Sequence, residues 1–187
     1  MKITALRAVA LGAVISFTAI SSYALADNPM VGGAPMLDSK NIIENAINSK
    51  DHTTLVAAVK AAGLVEALEG AGPFTVFAPT NEAFAALPAG TVDNLLKPAN
   101  KATLVKILTC HVVAAKALST DVVAMVKADG GKHVVDTLGG CKLTLQVKGG
   151  KVTVTDEAGG VATVTIADVI QSNGVIHVVD KVLLPKM

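Results

Sequence analysis

Near Cys110 the hydrophobic pattern of this chain changes its period, and that change limits the folds open to it more than any other feature. Before Cys110, apolar residues recur at helical spacing. Ile42, Ile43 and Ala46 follow Ser39, which can cap a first helix. Leu55, Val59 and Ala62 follow Thr53 and Thr54 and run up to Gly63, a natural stop. Leu64 to Leu68 adds a turn, Thr91 caps a short helix over Val92, Leu95 and Leu96 that Pro98 closes, and Lys101 to Leu108 forms another. From Cys110 onward a twofold alternation takes over, interrupted by one helical turn at 120–126 capped by Ser119. Leu143, Leu145 and Val147 alternate with Thr144 and Gln146, and Val152 and Val154 with Thr153 and Thr155, around a tight reversal at Gly149-Gly150. Two further β-rich runs, Val161 to Ile170 and Val175 to Leu184, flank Asn173-Gly174, a dipeptide suited to a turn with positive φ. Helices first and strands afterwards indicate an α+β fold, not alternating parallel units.

The first residues differ in composition from the rest. Lys2 and Arg7 precede an apolar run from Ala8 to Ile20, and Ala24-Leu25-Ala26 is a pattern that signal peptidase accepts. We therefore expect residues 1–26 to be a signal peptide cut before Asp27, because the run is shorter than the roughly 20 apolar residues of a retained anchor. Export follows, to a periplasmic or extracellular location, in a bacterium rather than an animal matrix. Residues 27–38, rich in Gly and Pro, are expected to form a flexible leader, and 39–187 a single domain of ordinary size.

Without Lys2 and Arg7 the basic count falls from 16 to 14 against 15 acids, which lacks the basic excess of a nucleic-acid binder. The mature chain keeps only Phe74, Phe77 and Phe84 as aromatic residues, too few for base-stacking sites. No later segment approaches a membrane span. Cys110 and Cys141, the only cysteines, read first as a disulfide in an exported chain, against the alternative of two free buried thiols. Closing that loop would stabilise the fold by about 3.7 kcal/mol on the chain-entropy argument.

Thr75-Val76-Phe77-Ala78-Pro79-Thr80-Asn81-Glu82-Ala83-Phe84 describes a short buried strand turning sharply into a helix. Pro79 fixes the bend, the Thr80 hydroxyl can accept from an N-terminal amide of the helix, and Glu82 suits its dipole. No glycine-rich loop or lysine accompanies that helix start, so a structural role outweighs a phosphate site. This segment resembles the first signature of the fasciclin family of adhesion domains. The run Ser172-Asn173-Gly174-Val175-Ile176-His177-Val178-Val179-Asp180-Lys181-Val182-Leu183-Leu184-Pro185 resembles the second, and Leu108-Thr109-Cys110-His111-Val112-Val113 resembles the tyrosine-histidine segment between them. The likeness runs from about Asn41 to Pro185.

The resemblance implies a β-sandwich or wedge with helices packed at one side, and a role in adhesion. In animal relatives integrin binding is associated with the tyrosine-histidine segment and with an aspartate followed by aliphatic residues before the Asn-Gly turn. By that likeness the candidate binding residues here are Asp168, Val169, Ile170 and His111, with Cys110 standing where the family has tyrosine.

His52, His111, His133 and His177 show no metal-ligand spacing, and His111 and His177 fall in apolar runs that read as strands, so they are expected to be structural. Cys110 and His111, as adjacent strand residues, would face opposite ways and form no dyad. Asp156 and Glu157 read as a solvated turn beside Gly159-Gly160. No nucleophile elbow, zinc-protease motif, phosphate loop or dinucleotide fingerprint is present. The expected function is a non-catalytic module, without cofactor or metal, that binds a protein or cell-surface component. A small-molecule carrier or enzyme using a cavity between helices and sheet is the alternative.

Overall fold

In the computed structural model, which describes residues 28–186, a capped strand-to-helix bend sits at the centre of the molecule. The expected signal segment lies outside the described residues. In chain order the elements are β1 (Met30–Val31), β2 (Ala34–Pro35), α1 (Ile42–Ala46), α2 (Thr53–Ala62), α3 (Val65–Glu69), β3 (Phe74–Pro79), α4 (Asn81–Ala85), α5 (Thr91–Leu95) and α6 (Lys101–Thr109). They continue with β4 (Val112–Val113), α7 (Ser119–Ala128), β5 (His133–Asp136), β6 (Lys142–Lys148), β7 (Lys151–Thr155), β8 (Val161–Gln171) and β9 (Gly174–Val179). This is the α+β architecture expected from the change of period.

Seven strands form one bent sheet in the order β4-β3-β9-β8-β7-β6-β5. From β5 to β9 each strand pairs antiparallel with its neighbour in sequence, and the β6–β7 turn at Gly149-Gly150 takes the two positive φ values, 57° and 78°, that a tight hairpin needs. The exception is β3, which lies parallel to β9, with Phe74 opposite Gly174 and Pro79 opposite Val179. β8 bends the sheet. Its first residues pair with β7 and the rest with β9, and the register slips twice, between Val164 and Ile166 and between Ile166 and Val169.

Two apolar cores result. One lies between the helices and the face of β3 and β9 that carries Val76, Ala78, Ile176 and Val178, and it takes in Phe84 from α4. The other fills the inside of the bent sheet with Phe77, Leu143, Leu145, Val154, Val164 and Val179, closed by Val122 and Val126 of α7. Phe77 and Phe84 therefore enter separate cores from the two sides of the bend, where the Thr80 hydroxyl accepts from the Ala83 amide at 3.3 Å.

Several local expectations are corrected. The first helix is capped by Asn41, not Ser39, in a reciprocal box with Glu44 (2.9 and 2.8 Å). Gly90 occupies the cap position expected of Thr91, and Ser119 is the first residue of α7. Residues 28–38 are not a loose leader. The β1–β2 hairpin folds back on the helices, Val31 and Met36 are buried, and Asn45 on α1 holds Leu37 through both its amide (3.0 Å) and its carbonyl (2.7 Å). The apolar side chains of Val31 and Met36 outweigh the local turn composition.

At the Asn173-Gly174 reversal, Gln171 pairs with Gly174, so Ser172 and Asn173 form the turn without positive φ. Gly174 is required by space instead: a Cβ there would sit 2.2 Å from the Phe74 carbonyl oxygen.

Candidate functional site

The second register slip in β8 leaves Asp168 with φ 59°, the one non-glycine residue with positive φ among those described. The conformation turns the Asp168 carboxylate onto the start of α7. Oδ1 accepts from the Ser119 amide at 2.6 Å and Oδ2 from the Ser119 hydroxyl. A carboxylate at a helix N-terminus satisfies an otherwise orphaned amide and favours the dipole. The Asp168 amide in turn donates to Nδ1 of His177 at 3.2 Å. The other ring nitrogen of His177 donates to the Ala117 carbonyl at 2.9 Å, which fixes the tautomer, and burial lowers the pKa of this imidazole. The Phe77 ring stacks on it at a centroid distance of 5.8 Å.

Alternation along β8 then sends the next two residues opposite ways. Val169 is buried against the helices, while Ile170 is 42% exposed. Asp168 is thus a half-buried brace, and Ile170 is the exposed apolar side chain of this segment.

His111 does not lie in a strand. It follows the last residue of α6 and its cap Cys110, in a turn before β4, and it is buried. Nδ1 donates to the Ile107 carbonyl (2.8 Å) and Nε2 accepts from the Leu183 amide (2.8 Å), so the ring staples α6 to the end of the chain. Burial pushes its pKa down to about 4, against smaller opposing effects of the Ile107 carbonyl and the charge of Asp156. Cys110 is bonded to Cys141, with the Cα atoms 5.4 Å apart, and neither is a nucleophile in that state. Asp156 is also buried, contrary to the solvated turn expected. It accepts from the amides of Gly160 (2.6 Å) and Leu184 (2.8 Å), while Glu157 stays exposed. Among the described residues no three His, Cys, Asp or Glu side chains gather around a point that could hold a metal ion, and no helix is long and apolar enough to cross a membrane.

The sequence profile of the Fasciclin domain matches residues 50–185. The chain belongs to the fasciclin family. Protein sll1483 of Synechocystis is 49% identical over 187 residues, covering 93% of this chain and 97% of that protein. The transforming growth factor-beta-induced protein ig-h3 of Sus scrofa is 41% identical over 131 residues, which is 70% of this chain and 17% of the animal protein. A solved FAS1 domain pair from the insect cell adhesion molecule Fasciclin I superposes with a TM-score of 0.69 at 18% identity, over 78% of this chain and 51% of that one, and shares the fold.

Within this fasciclin domain the second signature is an assembly device. Its Asn173 side chain accepts from the Ile42 amide at 3.1 Å and donates to the Leu68 and Gly70 carbonyls at 2.8 and 2.9 Å. The start of α1 and the end of α3 are thereby locked to the β8–β9 turn. The reading from sequence missed this role, and it missed Asn45, which is fully buried between Leu37 and Gln171. An amide on the apolar face of a helix, three residues after Ile42, was the available signal for Asn45. The same region of the fasciclin domain holds a cavity of about 80 Å³, bounded by α1, α2, α3, β3 and β9 and roofed by Val31 and Met36. His52 lines it at 3% exposure, a placement its position beside Thr53 does not reveal.

Proposed function

We propose that this fasciclin domain is an exported interaction module that binds a protein or a cell-surface component, with Ile170 at the centre of the contact. The observation that carries the reading is the bulge in β8. It holds Ile170 outward on a segment whose backbone is fixed on both sides, by Asp168 on Ser119 and by pairing with Val175. A rigid exposed aliphatic side chain loses little entropy when covered, which is how a small anchor contributes affinity. The family's association with adhesion and the cell adhesion molecule among its solved relatives support the class of partner. Asp168 acts in this reading by holding the segment and Val169 by anchoring it in the core, while His111 holds α6 to the Leu183 segment and takes no part in the contact. No catalytic role is proposed, since His111 and His177 have both ring nitrogens engaged by backbone groups or amides and Cys110 is bonded.

The test immobilises the wild-type protein and Ile170→Glu and compares what each retains from a native cell-surface fraction. The expected result is a partner whose retention falls about tenfold or more with the charged variant, while the melting temperature is unchanged. Equal retention by both proteins removes Ile170 from the contact.

A further inference from the structure

The cavity beneath the N-terminal hairpin is walled by aliphatic side chains, Leu55, Val59, Val76 and Ile176 among them. Five lining residues bring polar or charged groups, and four of those are already committed. The Thr109 hydroxyl donates to the Val105 carbonyl at 2.7 Å. His111 is held at both nitrogens, and Ser49 Oγ is taken up by Nδ1 of His52 at 2.8 Å. Lys60 is exposed at the rim, so its charge stays in water. What remains is Nε2 of His52, a buried nitrogen with no hydrogen-bond partner among the described residues. The Ala78 carbonyl is near enough to influence the ring without meeting hydrogen-bond geometry. Burial is the larger effect and keeps the imidazole neutral.

We infer that this cavity is a binding site for a small uncharged apolar molecule carrying a single hydroxyl, its body against Leu55, Val59, Val76 and Ile176 and its hydroxyl on His52 Nε2. An engineered apolar cavity of about 150 Å³ stays dry and takes up benzene, so this one, at about 80 Å³, suits a molecule of about half that size. A hydroxyl satisfies Nε2 whichever tautomer is present, because it can accept from Nε2–H or donate to the bare nitrogen. A carboxylate would be buried with no cation beside it, which disfavours anions strongly. A hydrocarbon lacking the hydroxyl would leave the nitrogen unpaired and bind more weakly.

The folded protein is titrated with propan-2-ol, with its near-isostere isobutane and with acetate, following the amide resonances of the lining residues and the imidazole nitrogens of His52 by NMR. Propan-2-ol is expected to bind about tenfold more tightly than isobutane, the factor of one satisfied buried hydrogen bond, and to shift the His52 Nε2 resonance. His52→Leu is expected to keep isobutane binding and lose the preference for the alcohol. Should that variant not fold, the wild-type imidazole resonance decides by itself. The inference is overturned by equal affinity for alcohol and hydrocarbon, by a preference that survives in His52→Leu, by tighter binding of the carboxylate, or by a His52 Nε2 resonance that does not move at saturation.

Discussion

The helical half of the molecule and its hairpin half are held together by different means. From β5 to β8 every strand pairs with the next one along the chain, and the core between them contains aliphatic side chains and Phe77. The helical half is built from α2 and α6, of ten and nine residues, and from α1, α3, α4 and α5, each of only five, all below the length at which an isolated helix is stable. Buried amides join these pieces across long stretches of sequence: Asn45 reaches Gln171, and Asn173 reaches Ile42, Leu68 and Gly70. The difference teaches that polar staples are used where neighbours in space are strangers in sequence, and that local turns make them unnecessary elsewhere.

The largest test of this contrast is the bond between the halves, since Cys110 ends α6 and Cys141 precedes β6. Replacing both with alanine should lower unfolding stability by about 3.7 kcal/mol in urea, still in one transition. Two separated transitions would show that the halves fold as independent units. Asn173→Ala leaves an amide and two carbonyls unpaired and should cost about 3 kcal/mol. Hydrogen exchange should quicken in α1 and α3 and leave β6 and β7 protected; uniform loss would break the comparison.

Stability should also fall as pH drops. Unfolded, His111 takes a proton near pH 6.5, while the folded ring resists it down to about 4, so the contribution is full above 6.5 and is lost progressively toward 4. His111 alone accounts for up to about 3 kcal/mol, and the lowered pKa values of His52 and His177 act in the same direction. A His111→Gln variant should show a visibly shallower pH profile than the wild type. The smallest effect is expected from Asp168→Ala, about 1 kcal/mol from the lost helix-start contact, with part recovered in Asp168→Asn. An unchanged melting temperature in the alanine variant would show that the carboxylate does not brace α7.

Features governed by near neighbours were legible in the sequence. Thr80 at the bend, Gly149-Gly150 in its hairpin and the period change at Cys110 were read correctly because each depends on a few adjacent residues. What was misread depends on distant contacts. Residues 28–38 look loose by composition, yet Asn45 and the buried Met36 fix them. Asp156 looks like a turn residue, yet it receives the Leu184 amide. The Asp168–Ser119 brace joins residues 49 apart, and nothing in the local pattern of β8 announces it. The parallel placement of β3 beside β9 is of the same kind.

That placement governs when the protein can be finished. β3 appears early in the chain, but its parallel neighbour is residues 174–179. A polypeptide emerging amino end first must therefore carry an exposed, apolar, half-paired strand until residues 174–179 have arrived. Loss of residues 174–179 would leave the centre of the molecule open, whereas the hairpins between β5 and β8 could still close on their own.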